Sequence, residues 1–176
     1  MAEHNNDLAG ELPNQPHVSL KQCERLIGEW RISGPDVTGT VRYEWMEGGF
    51  FLIQHFDLEQ GGGHYKGIEY TGYDEETGTL RSRLMGTDGS RFMYTYGFKG
   101  DTMYYWFGEK GSDNYSEGRF SADGNTIAGR WRWPNPDGTT GGYTYTLEKK
   151  HDDLARSGAA APAQSAPGGG AIRAAR

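Results

Sequence analysis

The feature that most constrains the fold is an alternation of apolar and polar residues, with a period of two, from about residue 28 to residue 149. Short Gly-, Asn- and Asp-rich segments such as Asp88-Gly89 and Asp123-Gly124-Asn125 interrupt it and are typical of tight hairpin turns. The interruptions define ten candidate strands: 28–33, 39–47, 49–59, 64–73, 79–86, 90–98, 102–109, 115–121, 126–133 and 142–149. Because no helical pattern separates them, neighbouring strands are expected to pair antiparallel.

A sheet of this size must protect its edges, and closure into a barrel removes edges altogether. Nearly every connection is as short as a hairpin, which leaves little room for Greek-key crossings. The sequence therefore predicts an all-β fold, a single antiparallel up-and-down barrel of about ten strands. An open β-sandwich is the structural alternative.

A short helix is predicted before the first strand. Its apolar residues recur at spacings of three and four, as on one helix face: Val18, Leu20, Cys23, Leu26 and Ile27. Ser19 is expected to cap the helix, with Gln22 three residues on, and Gly28 to end it. Three segments follow from this: a disordered N-terminal segment 1–16, a barrel domain 17–150 and a disordered low-complexity tail 151–176.

Composition excludes several classes of partner. The formal net charge is −6, and 18 basic residues are scattered among 24 acidic ones, so no basic surface for nucleic acid is expected. Cys23 is the single cysteine, which rules out an internal disulfide or a cysteine-based zinc site. No apolar run is long enough to span a membrane, and the polar start is unlike a signal peptide. A cytoplasmic protein is expected.

One face of several predicted strands is aromatic, and we assign this face to the barrel interior. The rings could simply fill a core, or they could line a pocket, because a barrel of this size can hold one small ligand. The candidate cavity-lining residues are Tyr43, Trp45, His55, Tyr94, Tyr96, Trp131, Tyr143 and Tyr145. Tyrosine hydroxyls beside apolar rings favour a ring system over a plain alkyl chain.

The one enzyme-like constellation comprises His55 and Asp57, which share a face because they are two residues apart on a strand. If that face is inward, they could act as base and acid, or His55 could bind a ligand. The apolar run Phe51-Leu52-Ile53 leaves the face of His55 open. Glu69 is a further candidate acid or base, although Ile68 and Tyr70 are expected to take the inside and leave Glu69 outside.

The segment Leu26-Ile27-Gly28-Glu29-Trp30 resembles the opening of calycins, the superfamily of lipocalins and fatty-acid-binding proteins. Together with Gly72-Tyr73-Asp74 and other segments over residues 20–149, the chain looks like a group of uncharacterised bacterial lipocalin-like proteins. The resemblance implies that Trp30 seals the closed end of the barrel and that Gly28 permits close backbone approach there.

The resemblance also bears on ligands. Fatty-acid-binding proteins close with an Arg-x-Tyr clamp, but the matching stretch here, Tyr143-Thr144-Tyr145, has no arginine. Haem-binding barrels of the nitrobindin type take their axial histidine near the end of the chain, where only His151 stands, beyond the last strand. No cofactor is therefore expected, with haem as the remaining possibility.

The leading hypothesis is a non-enzymatic lipocalin-like barrel that binds a small hydrophobic or aromatic molecule. The first alternative is an isomerase- or cyclase-type enzyme that uses His55 with Asp57 or Glu69. The second is a ligand-free interaction scaffold, which would have a packed interior. The sequence does not define an oligomeric state.

Overall fold

A computed structural model describes residues 11–151 and contains one closed antiparallel barrel of ten strands, as predicted. A helix at residues Val18–Leu26 precedes the barrel. The strands are β1 Gly28–Ser33, β2 Val37–Trp45, β3 Phe51–Gln60, β4 Gly63–Asp74, β5 Thr79–Gly86, β6 Arg91–Lys99, β7 Thr102–Phe107, β8 Tyr115–Phe120, β9 Thr126–Pro134 and β10 Thr140–Lys149.

The strands follow an up-and-down order in which each one pairs with the next along the chain. The ring closes where β1 meets β10, with Trp30 opposite Lys149 and Ile32 opposite Leu147. Each observed strand boundary lies within two residues of its predicted position. The agreement follows from turn chemistry, because glycines such as Gly89 and Gly124 adopt the positive φ angles that tight turns require.

The N-terminal helix is a 3₁₀ helix, and its cap differs from the prediction. His17, rather than Ser19, occupies the N-cap, and its Nδ1 accepts a hydrogen bond from the backbone N–H of Ser19 at 3.2 Å. The geometry matches the buried residues Leu20, Cys23 and Leu26, which are spaced by three and so align on a helix with three residues per turn. Val18, which does not fit this spacing, is 66% exposed.

The helix closes one end of the barrel, which we call the closed end. The indole N–H of Trp30, a fully buried residue on β1, donates a 2.6 Å hydrogen bond to the carbonyl of Leu26. Gly28 links helix to strand with φ of +122°, a conformation that strongly favours glycine. Arg25 ties the helix to the β6–β7 turn by donating to the Gly100 carbonyl and to Asp101.

The predicted segment boundaries stay predictions. Residues 1–10 and 152–176, which make up most of the two predicted disordered ends, lie outside the described part of the chain. Residues 11–17 contain no helix or strand before the 3₁₀ helix begins. Within residues 11–151, no helix is long and apolar enough to cross a bilayer.

Candidate ligand cavity

A cavity of about 330 Å³ lies inside the barrel, between the packed core at the closed end and the opposite, open end. The hairpin turns at 34–36, 61–62 and 87–90 surround the open end. Tyr65, Phe92 and Phe107 line the cavity here and keep 45%, 43% and 39% of their surface exposed, which marks them as its mouth. Because these three rings are partly exposed, an apolar molecule can reach the mouth from the solvent. Grouped exposed apolar side chains often mark a binding site.

Four rings on β6, β7 and β9 form one connected wall, which we call the aromatic cluster: Tyr94, Tyr96, Tyr105 and Trp131. Tyr94 and Tyr105 stack with their centroids 4.3 Å apart. Trp131 meets Tyr105 edge-on, with centroids 5.4 Å apart. Such contacts hold the rings in place and leave the space in front of them open, so the wall is preorganised.

The sequence-predicted lining residues fall into two groups. Six of them line the cavity: Tyr43, Tyr94, Tyr96, Trp131, Tyr143 and Tyr145. Trp45 packs against the core instead, near the β2–β3 turn at the closed end. His55, a candidate whose orientation the sequence left open, lies on the outer face of β3 and does not line the cavity.

Register explains the position of His55. On β3 the even-numbered residues Leu52, Gln54 and Phe56 face inward, where Leu52 is fully buried and Gln54 and Phe56 line the cavity. The side chain of His55 is 38% exposed, and its Nε2 lies 2.9 Å from Oε1 of Glu44. The sequence left this open because Phe51 and Ile53 are as apolar as their inward neighbours, yet Phe51 is 44% exposed.

Asp57 is on the same outer face and takes part in a surface ion-pair network. Its carboxylate lies 2.7 Å from Nε2 of His64 and 3.0 Å from Nζ of Lys66. These partners, with the hydrogen bond from His64 the larger cause, hold the pKa of Asp57 below its ordinary value. His55 and Asp57 therefore do not reach the cavity, and the proposed acid–base pair is not formed there.

Glu69 on β4 points inward, whereas the sequence predicted that it lies outside the barrel. Glu69 is fully buried, and both of its carboxyl oxygens lie within 2.8 Å of the Tyr105 hydroxyl oxygen. Burial raises the pKa of Glu69 to about 7, and the side chains of Ser82 and Tyr105 oppose that shift only in part. None of the ion pairs formed by residues 11–151 includes Glu69.

Glu69 does not itself line the cavity, whereas Tyr105 does. Tyr105 thus connects the buried carboxyl to the wall of the cavity. The Tyr105 hydroxyl has one proton and can donate it to one oxygen of Glu69. The second short oxygen–oxygen contact is also a hydrogen bond when the carboxyl group is protonated and donates its own proton to the tyrosine oxygen.

Further polar groups line or flank the same interior. The Tyr96 hydroxyl donates to Oε1 of Gln54 at 3.2 Å, and the hydroxyls of Ser116 and Tyr145 are 2.7 Å apart. Burial raises the pKa values of Tyr96 and Tyr145, which therefore remain protonated near neutral pH. The interior offers hydroxyl groups as well as apolar rings.

Several residues that line the cavity were not predicted from the alternation of strand faces. Tyr105 and Met103 lie on β7, where Tyr104-Tyr105-Trp106 is aromatic on both faces and alternation gives no direction. Gln54 and Leu84 also line the cavity. Pairing with β6, where Tyr96 lies opposite Tyr105, is the signal that could have assigned Tyr105 inward.

The four histidines within residues 11–151, which are His17, His55, His64 and His151, do not line the cavity. His151 is exposed and follows the end of β10, as its sequence position predicts. No group of three or more His, Cys, Asp or Glu side chains within residues 11–151 is arranged to hold a metal ion.

The closed ten-stranded barrel and its aromatic cavity define the class of protein: a small antiparallel β-barrel with an internal pocket. Among solved structures, the chain is similar to Rv2717c from M. tuberculosis, with a TM-score of 0.48 and 13% sequence identity over 78% of this chain and 100% of that one. No protein-family model matches the sequence. No curated protein matches it either.

Proposed function

We propose that this protein is a lipocalin-like barrel that binds a small hydrophobic or aromatic molecule in its cavity. The observation that carries the proposal is the 330 Å³ cavity behind an accessible aromatic mouth. A fully packed interior, as in a scaffold without a ligand, would leave no such space. Ligand pockets are typically concave, mostly apolar and equipped with a few polar groups, as this cavity is.

The aromatic cluster favours a flat ligand. A ring that enters beside Tyr94 and Trp131 can stack or meet them edge-on, and each such contact contributes about 0.5–1.5 kcal/mol beyond burial of area. Gln54 and the tyrosine hydroxyls offer donors and acceptors that would orient a polar substituent. The buried Trp30 at the closed end, which follows Gly28 as in calycins, supports the family part of the proposal.

Binding of the neutral fluorescent probe N-phenyl-1-naphthylamine tests the proposal. We expect saturable binding to the wild-type protein, with a rise in probe fluorescence. The variant Leu58→Trp places a large ring in the cavity, because Leu58 lines it, and should weaken binding at least about tenfold, the factor that corresponds to about 1.4 kcal/mol.

Glu59→Trp is the matched control. Glu59 is the next residue on β3 and is exposed, so the same ring is added outside the barrel. This variant should bind the probe as the wild-type protein does. Equal binding by Leu58→Trp and Glu59→Trp, or no saturable binding by the wild-type protein, would contradict a cavity site.

A further inference from the structure

Glu69 is a buried carboxyl group that apolar ligand binding does not require. An ionised carboxyl in a barrel interior is costly unless a positive charge or several donors compensate it. Here its hydrogen-bond donor is Tyr105, and the ion pairs of the described residues lie elsewhere. The position of this group against a cavity wall calls for a functional explanation.

Among residues 11–151, no cationic side chain pairs with Glu69. Gln54 on β3 and Leu84 on β5 are its strand partners. The titratable groups that act on it or on its tyrosine neighbours are Tyr43, Tyr94, Tyr96, Tyr105, Tyr143, Tyr145 and Cys23. Phenol and thiol groups have no cationic form. Burial raises the pKa of each of them, so they also stay neutral near neutral pH.

Two charged residues line the cavity, both at the rim of its open end. Lys66 has its ammonium 3.0 Å from the carboxylate of Asp57, on the outer face. Asp88 lies in the β5–β6 turn, where its carboxylate accepts from the Ser90 backbone N–H. When Glu69 is ionised, the inner part of the cavity therefore has a negative potential that no described side chain neutralises.

We propose that the cavity selects a ligand with an aromatic or hydrophobic body and a positively charged amine, and that Glu69 acts on this amine through the hydroxyl of Tyr105. The ammonium would donate to the Tyr105 oxygen, and Tyr105 would in turn donate its proton to Glu69. This assignment rests on the proposed function, since it names the ligand class for the same cavity.

The chemistry of the wall fits such a ligand. Four aromatic rings form this wall, and the negative π density of a ring face attracts a cation within about 6 Å of the ring centroid. A carboxylate ligand of the same shape would meet the same potential with the wrong sign. This extends the sequence-level observation that the last strand carries no arginine for a fatty-acid clamp.

Three probes of nearly equal shape test the inference: 2-(1-naphthyl)ethylamine, 2-(1-naphthyl)ethanol and 1-naphthylacetate, each titrated by calorimetry at pH 6, 7 and 8. The amine stays charged throughout, because amines of this kind titrate near pH 10. At pH 8 we expect the amine to bind about tenfold more tightly than the alcohol and the acetate to bind most weakly.

The pH dependence has a defined sign. Glu69 ionises as pH rises through about 7, so the affinity for the amine should increase about fivefold from pH 6 to pH 8, while that for the alcohol stays within about twofold. In Tyr105→Phe the ammonium loses the hydroxyl that links it to Glu69, so the rise in amine affinity should shrink. The carboxyl also loses its donor, so the rise that remains should move to higher pH.

Glu69→Gln keeps the size of the side chain and removes its charge, so amine and alcohol should bind equally and without a rise between pH 6 and pH 8. Asp57→Asn removes one negative charge on the outer face and should retain the wild-type preference. Thermal unfolding of both variants checks that they are folded. If Glu69→Gln is not folded, the amine affinity of Tyr105→Phe provides an independent test.

The outcomes separate the two proposals. If the alcohol binds but the amine is not preferred, or if Glu69→Gln keeps the preference, the selection of a cation is refuted and the hydrophobic cavity site survives. If none of the three probes binds the wild-type protein, the proposed function fails and the selection fails with it.

Discussion

At the scale of single residues, Glu69 makes the stability of the barrel depend on pH. Its pKa is about 7 in the folded protein, against an ordinary value of 4.5, because burial disfavours the charged form. The folded state therefore holds the proton more tightly than the unfolded state does. The contribution of Glu69 to the free energy of unfolding is fully present below about pH 4.5 and is lost as pH rises to about 7.

Glu69→Gln should remove this loss. Relative to the wild-type protein, the free energy of unfolding of the variant should rise by on the order of 3 kcal/mol between pH 4.5 and pH 8, at 1.36 kcal/mol per pKa unit. Urea unfolding of both proteins at the two pH values measures the difference. Asp57 and the other surface carboxylates contribute equally to both proteins, so their effects cancel. If the difference in unfolding free energy between the two proteins does not change with pH, the prediction is contradicted.

The contrast between His55 and Glu69 shows what the sequence could not decide. Both lie among apolar neighbours on long strands, and a shift of one residue in register exchanges the two faces. On β4, Ile68 and Tyr70 are more apolar than Glu69, yet Glu69 is the buried one. The hydrogen-bond partner of its carboxyl group, Tyr105, is 36 residues away in the chain, so a local sequence pattern does not reveal it.

At the scale of elements, the 3₁₀ helix contributes to stability through three side chains on one stripe. Leu26→Ala should cost about 2–5 kcal/mol of unfolding free energy, because Leu26 is fully buried and its removal leaves a cavity beneath the helix. Val18→Ala, on the exposed side of the same helix, should change the stability by no more than about 0.5 kcal/mol. Chemical denaturation of the two variants gives both values.

Labelling of Cys23 provides a second readout of the same variants. Burial raises the pKa of its thiol to about 12, so the unreactive thiol form dominates while the helix is in place. Leu26→Ala should speed the reaction with a thiol reagent, and Val18→Ala should not. Equal labelling rates in the two variants would mean that this stripe does not hold the helix on the barrel.

Elements were more predictable than site residues. Strand positions depend on local turn chemistry, such as the Asp88-Gly89 turn between β5 and β6, which a sequence displays directly. The N-cap of the helix was predicted wrongly because the apolar spacing was interpreted as that of an α-helix. An α-helix of this sequence could begin at Ser19, whereas the 3₁₀ helix has His17 as its N-cap.

At the scale of the whole molecule, closure gives every strand two neighbours. In an open sheet, β1 and β10 would each expose a row of unpaired amides. Hydrogen exchange should therefore be as slow for the central amides of β1 and β10 as for those of β2 and β9, measured by NMR under native conditions. Fast exchange confined to alternate residues of β1 or β10 would show that this seam is open in solution.

The barrel is sealed at one end by the helix and Trp30, and the exposed rings of Tyr65, Phe92 and Phe107 surround the other. Tyr105 is two residues deeper along β7 than Phe107. A ligand of the proposed kind would therefore enter and leave through the same opening. The group that enters first would meet Tyr105, while the other end of the ligand could extend into the solvent.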